Sequence, residues 1–410
     1  MPAFRGGELD MIMRIDRRVT PEDRAASPYL EVPFDVPPGV GSVGVHLRYD
    51  RAAGVVDLGC VGPAGFRGWS GGARERFTIT PDAATPGYVA GELEEGVWSV
   101  LLGLHRIPGG GLDLALDISL PASAPPDAEP PAPQPPRRRP GRELPAVPGL
   151  TWLACDLHAH TVHSDGSLAV ADLAAAAVRA GLDVLAVTDH NTVSHHASLP
   201  QIGSRYGVTL IAGQEVTTDR GHANALGDIG WVDFRQPANT WVSAVAAAGG
   251  VLSINHPLAA DCSWHHPLTE RPPLAEIWHW TWLDRRWTGP LAWWAAWGHD
   301  TVPVGGSDFH DPAQGRHLGA PVTWVACESD QPAAVLDGLR AGRTALAAGV
   351  DEPVLLRVDD ELVAIGADGT LLTDRYGRRR VVRGGTARFA GAAGPHLLET
   401  PLAEVVAISP

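Results

Sequence analysis

The chain has 410 residues, 44% of them hydrophobic, and carries a formal net charge of −15 with no lysine among its 32 basic residues. That balance argues against a general nucleic-acid surface, where clustered cations must neutralise phosphates. It also removes lysine from any catalytic role. No apolar run approaches the roughly 20 residues needed to span a bilayer. The opening "MPAFRGGELDMIMRIDRRVT" lacks the apolar core of a signal peptide, so the expectation is a cytoplasmic protein without membrane contact. Four scattered cysteines, Cys60, Cys155, Cys262 and Cys327, form no CxxC pair and indicate neither a disulfide framework nor a cysteine zinc site.

In chain order, residues 1–120 hold short alternating runs such as "SVGVHLRYD", "GVVDLGC", "VWSVLLGLHRI" and "LDLALDISL", separated by Gly, Pro and Asp. Their spacing predicts an antiparallel β-sandwich, an accessory domain for docking, self-association into a homo-oligomer, or covering a cleft. Residues 121–148 contain eleven prolines in 28 positions. Such a stretch cannot bury apolar surface and reads as a semi-rigid extended linker.

Over 149–345 the pattern changes. Strand-like runs ("TWLACDLHAH", "DVLAVTDH", "VTLIAGQEVT", "HANALG", "VLSINHP", "AEIWHW", "VPVGGSDFH", "PVTWVAC") alternate with helical ones ("VADLAAAAVRAG", "ANTWVSAVAAAG", "PLAWWAAWG"). This predicts an α/β domain, a βα barrel or a close variant. From 346 to 410, short runs predict a small β-rich C-terminal appendage.

Fourteen of seventeen histidines lie between His158 and His317. In "LACDLHAH" the two-residue period of a strand puts Asp156, His158 and His160 on one face and Cys155 on the other. The following strands bring His190, Glu215, His222 and His256, and "GGSDFH" supplies Asp308 and His310. With Asp165, nine donors fall at or near the C-terminal ends of six strands, the rim where βα barrels keep their active sites. Imidazole plus carboxylate without thiolate suits Zn, Mn or Fe. The number of donors implies two or three divalent ions. Asp156 and Asp189 stand where they could orient imidazoles or cap strand ends.

The ordered motifs "DLHAHTVHSDG", "TDHN", "GQEVTT", "GHANALG", "NHP" and "GGSDFH" resemble those of the polymerase and histidinol phosphatase (PHP) superfamily. Within it they are most similar to the carbaryl-hydrolase-like (CehA/McbA-type) branch, over about residues 150 to 345. The resemblance implies a distorted (β/α)7 TIM-like barrel with a trinuclear metal centre and phosphoester hydrolysis as the commonest activity. It assigns His158, His160, Glu215 and Asp308 to a first metal, and Asp165, His190 and His310 to a second. Glu215 then bridges to a third, held by His222 and His256. The expected nucleophile is a hydroxide shared by two ions, with Asp308 or a nearby histidine as proton donor.

Around this rim His163, His195 and His196 are polar loop residues, with His195 the best placed as general acid. Arg220 and Arg316 are candidate phosphate clamps, since a guanidinium fork matches phosphate oxygens. Seven of fourteen tryptophans fall between Trp278 and Trp297. Trp278 and Trp280 share strand parity and suggest a stacking surface for an aromatic or nucleotide-like leaving group. The expected activity is therefore metal-dependent phosphomono- or phosphodiester hydrolysis on a small-molecule substrate, with Asp308, His195 and Glu215 at the chemistry. Hydrolysis of aryl carbamates, esters or amides is the alternative within enzymes. A catalytically silent, metal-stabilised binding module is the alternative outside them.

Overall fold

A computed structural model describes residues 11–391 and 393–410. They form a mixed α/β protein of many strands and few helices, divided into two compact units. The first holds the described chain up to Pro131 together with Val162–Asp165 and His190–His195; the second holds Ala132–Thr161, Gly166–Asp189 and His196–Pro410.

The first unit contains β1 (Met11–Val19), helix α1 (Pro21–Ala26), β2 (Tyr29–Val36), β3 (Val43–Arg48), β4 (Val55–Gly62), β5 (Gly65–Gly71), β6 (Arg76–Ile79), β7 (Gly96–Arg106) and β8 (Leu112–Leu120). They make two four-stranded antiparallel sheets, ordered β1-β8-β3-β6 and β2-β7-β4-β5. Alternation explains how each sheet faces a common core. Leu112, Leu114, Leu116, Ile118 and Leu120 of β8 are buried, as are Val100, Leu102 and Leu104 of β7. The two inserted segments are held by the same unit. Arg74 Nη1 and Nη2 donate to the carbonyls of Ser164 (3.2 Å) and Val162 (2.5 Å). Thr192 Oγ1 donates to Gly87 O at 2.8 Å, and Gly87 N donates to Ser194 Oγ at 3.1 Å.

The second unit runs β9 (Thr151–Asp156), α2 (Val170–Ala180), β10 (Val184–Val187), α3 (Leu199–Tyr206), β11 (Thr209–Thr218), β12 (Gly221–Leu226), α4 (Ala238–Ala247), β13 (Val251–Ile254), β14 (Leu274–Trp278), α5 (Gly289–Trp297), β15 (Val302–Gly305), β16 (Val322–Cys327), α6 (Pro332–Arg340) and β17 (Thr344–Ala347). Strands β18 (Val354–Val358), β19 (Glu361–Ile365), β20 (Leu371–Asp374), β21 (Arg379–Val381), β22 (Thr386–Ala390), β23 (His396–Glu399) and β24 (Val405–Ser409) complete it. α2 lies close to the sheet because its buried side is small: Ala171, Ala174, Ala175 and Ala177 beside Leu173 and Val178. It stops at Gly181, whose φ of 85° is the left-handed conformation that glycine adopts without steric cost.

The named strands show no closed barrel of the kind expected from the sequence. Thirteen strands make one sheet, ordered β15-β14-β13-β12-β11-β10-β9-β16-β17-β24-β23-β20-β21, with β15 and β21 at its ends. Among the described residues, only the isolated bridge Ala159↔Phe309 joins the chain beyond β15 to the chain beyond β9. The reason lies at β15. Pro303 has no N–H to give a further strand, and the N–H of Gly305 is taken by the Thr323 hydroxyl at 2.7 Å. Thr323 Oγ1 returns a bond to Gly305 O at 2.8 Å, so a side chain stands between β15 and β16 where a ladder would be. The C-terminal segment is β-rich as expected: β18, β19 and β22 form a three-stranded sheet of their own, and the other strands join the main sheet. β24 pairs with β17 through Leu346↔Ile408 and Ala347↔Ala407, which continues the main sheet.

Direction within the sheet positions the donors. β9, β10 and β11 are parallel, as are β13, β14 and β15, so their C-terminal ends share one edge. β12 is antiparallel to both β11 and β13, so it is its start that reaches that edge.

Candidate metal centre

The donors of the second unit arise from these strand ends. Beyond β9 the strand alternation continues, because Ala159 bridges Phe309 in parallel and His160 N donates to Phe309 O at 2.9 Å. His158 and His160 therefore face the same way, both fully buried. Close approach is secured by Gly306, where a Cβ would stand 2.5 Å from His158 Cβ and 2.6 Å from Glu276 Oε1. His222 opens β12 opposite Thr217, so it comes from a strand start and not from the strand end expected. His256 and Asp308 carry φ values of 26° and 49°. Such conformations are costly for residues with a side chain and collect where function over-determines them.

Four of the expected residues meet closely. His158 Nε2 lies 3.3 Å from Glu215 Oε1 and 3.2 Å from Asp308 Oδ1. His160 Nε2 lies 3.4 Å from Glu215 Oε2 and 3.1 Å from Asp308 Oδ1. Glu215 Oε1 also faces His222 Nδ1 at 3.1 Å and His256 Nε2 at 3.3 Å, and accepts from Asn255 Nδ2 at 2.8 Å. His310 stacks on His160 with centroids 4.1 Å apart. In the first unit His190 Nε2 stands 3.6 Å from Asp165 Oδ1.

The chemistry of this set fits divalent cations. His158 Nε2 is buried and makes no hydrogen bond, although two carboxylates flank it. An imidazole lone pair aimed with two carboxylates at one point is a ligand set, and a buried polar atom otherwise costs free energy unpaired. The charges agree. Burial alone would lower the His158 pKa, but Glu215, Asp308 and Glu276 push it well above the ordinary histidine value. Burial alone would raise the Asp308 carboxyl, yet His158, His160 and His279 hold it well below the usual carboxylate range. The cluster calls for positive charge.

Several participants lay outside the expected set. Glu276 Oε1 holds His158 Nδ1 at 3.2 Å, and its Oε2 accepts from His256 N at 2.9 Å. A carboxylate inside the fully buried strand "LAEIW" was the signal for it. His279 Nε2 reaches Asp308 Oδ2 at 3.2 Å, as does Nε1 of Trp280, a residue that was expected at the site. Cys262 Sγ lies 3.4 Å from His256 Nδ1. Asp156 serves the backbone, accepting from Ser307 N, His158 N and Gly319 N. Asp189 accepts from Thr161 N and Oγ1 at 2.8 and 2.7 Å.

The remaining candidates separate. Arg316 lies 3.5 Å above the Trp280 ring, with Nη1 3.9 Å from Asp308 Oδ2. Arg220 turns its Nη2 to His265 O at 3.0 Å. Trp278 is buried and packs on Trp282 with centroids 5.5 Å apart. With Trp280, His279 and Arg285 it also lines a cavity of about 350 Å3. His195 is fully buried in the first unit, its ring 5.7 Å from that of His163. No described helix is long and apolar enough to cross a membrane.

Sheet edge and donor set together define a metal-binding α/β unit. Residues 156–257 match the family described as the PHP domain. A search of curated proteins finds no match. Among solved structures, the chain is similar to a two-domain protein of Bacteroides vulgatus containing a predicted PHP-like metal-dependent phosphoesterase. Identity is 18%, coverage 66% of this chain and 98% of that one, and TM-score 0.43. It is also similar to an amidohydrolase of Chromobacterium violaceum with bound sulfate and no metal (16% identity, 40% and 89% coverage, TM-score 0.31). These likenesses are too distant to carry a functional argument.

Proposed function

We propose that the protein is a metal-dependent hydrolase of PHP type that cleaves phosphomono- or phosphodiesters with an aromatic or nucleotide-like leaving group. The observation that carries this reading is the donor cluster around His158 Nε2, with a fixed cation, Arg316, at its margin on Asp308. His158, His160, Glu215 and Asp308 hold a first ion, and Glu215, His222 and His256 lead to another. Asp165, His190 and His310 are assigned to a further ion by their places in the motifs. When bound, two or three ions of Zn, Mn or Fe supply water activation and Lewis acidity at the scissile group.

The chain's own residues do the rest. Glu276 fixes the ring of His158 through Nδ1, so that Nε2 stays a lone-pair donor. Asp308 accepts from Trp280 Nε1 and serves as a ligand, and it or a nearby histidine protonates the leaving group. His195 is the histidine proposed for that role from its place in the sequence "NTVSHHA" alone. Arg316 presents a charged fork for phosphate oxygens, and the Trp278–Trp280 cavity takes the leaving group's ring.

A second reading, hydrolysis of aryl carbamates, esters or amides, gains from Arg220, whose guanidinium is spent on His265 O. It gains also from an apolar cleft of about 260 Å3 in which His256 and His279 meet Leu258, Leu283 and Trp287. The test is a hydrolysis screen of aryl phosphates, phosphodiesters, nucleotides and aryl carbamates with Mn and Zn. Turnover of phosphoesters alone supports the first reading, and turnover of carbamates alone the second. Metal uptake without any turnover would mark a silent binding module. A cytoplasmic location and self-association through the β-sandwich are part of the same proposal.

A further inference from the structure

Behind His256 the chain turns back on itself: Ala259 N donates to His256 O at 2.9 Å and Trp264 N to Pro257 O at 3.1 Å. This turn returns Cys262, a half-buried residue, to the ring of His256, with Sγ 3.4 Å from Nδ1. The rings of His222 and His256 meet nearly at right angles, centroids 5.1 Å apart. One donor atom from each of His222, His256 and Cys262 lies within 4.8 Å of the other two. Tetrahedral zinc, with Zn–S of about 2.3 Å and Zn–N of about 2.0–2.1 Å, sets sulfur and nitrogen roughly 3.5 Å apart. Cys262 Sγ and His256 Nδ1 already stand at that separation, on the side of the ring opposite the Nε2 that faces Glu215.

We infer that the thiolate of Cys262 joins His222 and His256 in holding a divalent cation, so that this position is a mixed sulfur–nitrogen site. The inference rests on reading the cluster as a metal centre, not on the bond that is hydrolysed. Binding displaces the thiol proton, which passes to solvent, and one cation–sulfur bond forms. The consequence is selectivity. A thiolate favours Zn, Co or Fe over the harder Mn and Mg, whereas the His158–His160–Glu215–Asp308 set offers only nitrogen and oxygen. One protein then carries positions of different softness. Cys155 and Cys327 are buried in an apolar cluster away from these donors, and Cys60 is buried in the core of the first unit.

The experiment uses the full chain, stripped with chelator and reloaded with Co(II), for wild type, C262S and C262A. A sulfur-to-cobalt charge-transfer band in the near ultraviolet is expected in wild type and lost in both variants, while the visible cobalt bands of the remaining ions persist. Zinc retention against excess manganese is expected to fall about tenfold or more in both variants. A wild-type protein that binds cobalt without the band, or variants that keep it, would overturn the inference and leave Cys262 a hydrogen-bond partner of His256. Failure of every hydrolysis assay would leave it standing, because no readout here is turnover.

Discussion

Glu276 Oε1 lies 3.2 Å from His158 Nδ1, while the opposite nitrogen of that ring faces Glu215 and Asp308. One buried carboxylate thus decides which imidazole nitrogen is available as a donor. Replacing Glu276 by Gln keeps the shape and removes the charge. It is expected to weaken metal affinity about 10- to 100-fold with the fold retained. Chelator competition followed by circular dichroism checks both halves. Unchanged affinity would show that Glu276 does not tune the ligand.

Proton linkage gives a second expectation, for metal-free protein. His158 has a folded pKa well above its ordinary value, because Glu215, Asp308 and Glu276 outweigh the effect of burial. Its contribution to stability is therefore full below the unfolded histidine pKa of about 6.5 and is lost as pH rises through the folded value. Asp308 works in the opposite direction: its contribution is present above pH 3.8 and is lost as pH falls through its depressed folded pKa. Chelator-treated protein should show a falling Tm on the alkaline side, and added zinc should flatten that limb. A Tm indifferent to pH from 7 to 10 without metal would contradict this coupling.

Much of the site could be read from residue order because it depends on local geometry. The alternation of "DLHAH" places two imidazoles on one face without any tertiary knowledge, and Glu215 and Asp308 belong to other motifs that residue order already marks. What the order of residues could not supply depends on pairing across the sheet. His222 looks like another strand-end residue until the antiparallel course of β12 puts it at a strand start. Glu276 is one carboxylate in an apolar run, and its meaning appears only when β14 is set opposite His158. The unclosed sheet was illegible for a similar reason. Gly305 and the Thr323 hydroxyl are 18 residues apart, and their pairing beside Pro303 is a matter of hydrogen-bond partners that residue order does not show. Trp278 shares strand parity with Trp280, and the two do line one cavity, although Trp278 is also buried against Trp282.

Gly306 offers a steric test. A Cβ there would lie 2.5 Å from His158 Cβ, inside any normal contact. Gly306→Ala is expected to cost about 1–3 kcal/mol of stability and to displace His158 enough to lower metal content. Thermal unfolding and elemental analysis measure the two. A variant with native Tm and full metal would mean that the strand end yields without cost.

Arg316 stands 3.5 Å from the Trp280 ring centroid beside Asp308. If its fork receives phosphate oxygens, Arg316→Ala should raise KM for an aryl phosphate about tenfold, near 1.4 kcal/mol, with a smaller change in kcat. Arg316→Lys should recover only part, since an ammonium cannot reproduce the planar fork. Steady-state kinetics decides. An unchanged KM would shift the balance to an uncharged substrate.

The proposed hydrolysis requires joint possession of cations by side chains from separate strands. The most direct measurement is elemental analysis of purified protein after supplementation with Zn, Mn or Fe and removal of loose metal. Roughly two to three equivalents per chain are expected, falling sharply in Asp308→Ala and His158→Ala. Less than about one equivalent in the wild-type protein would contradict the central claim, and the proposed hydrolysis with it.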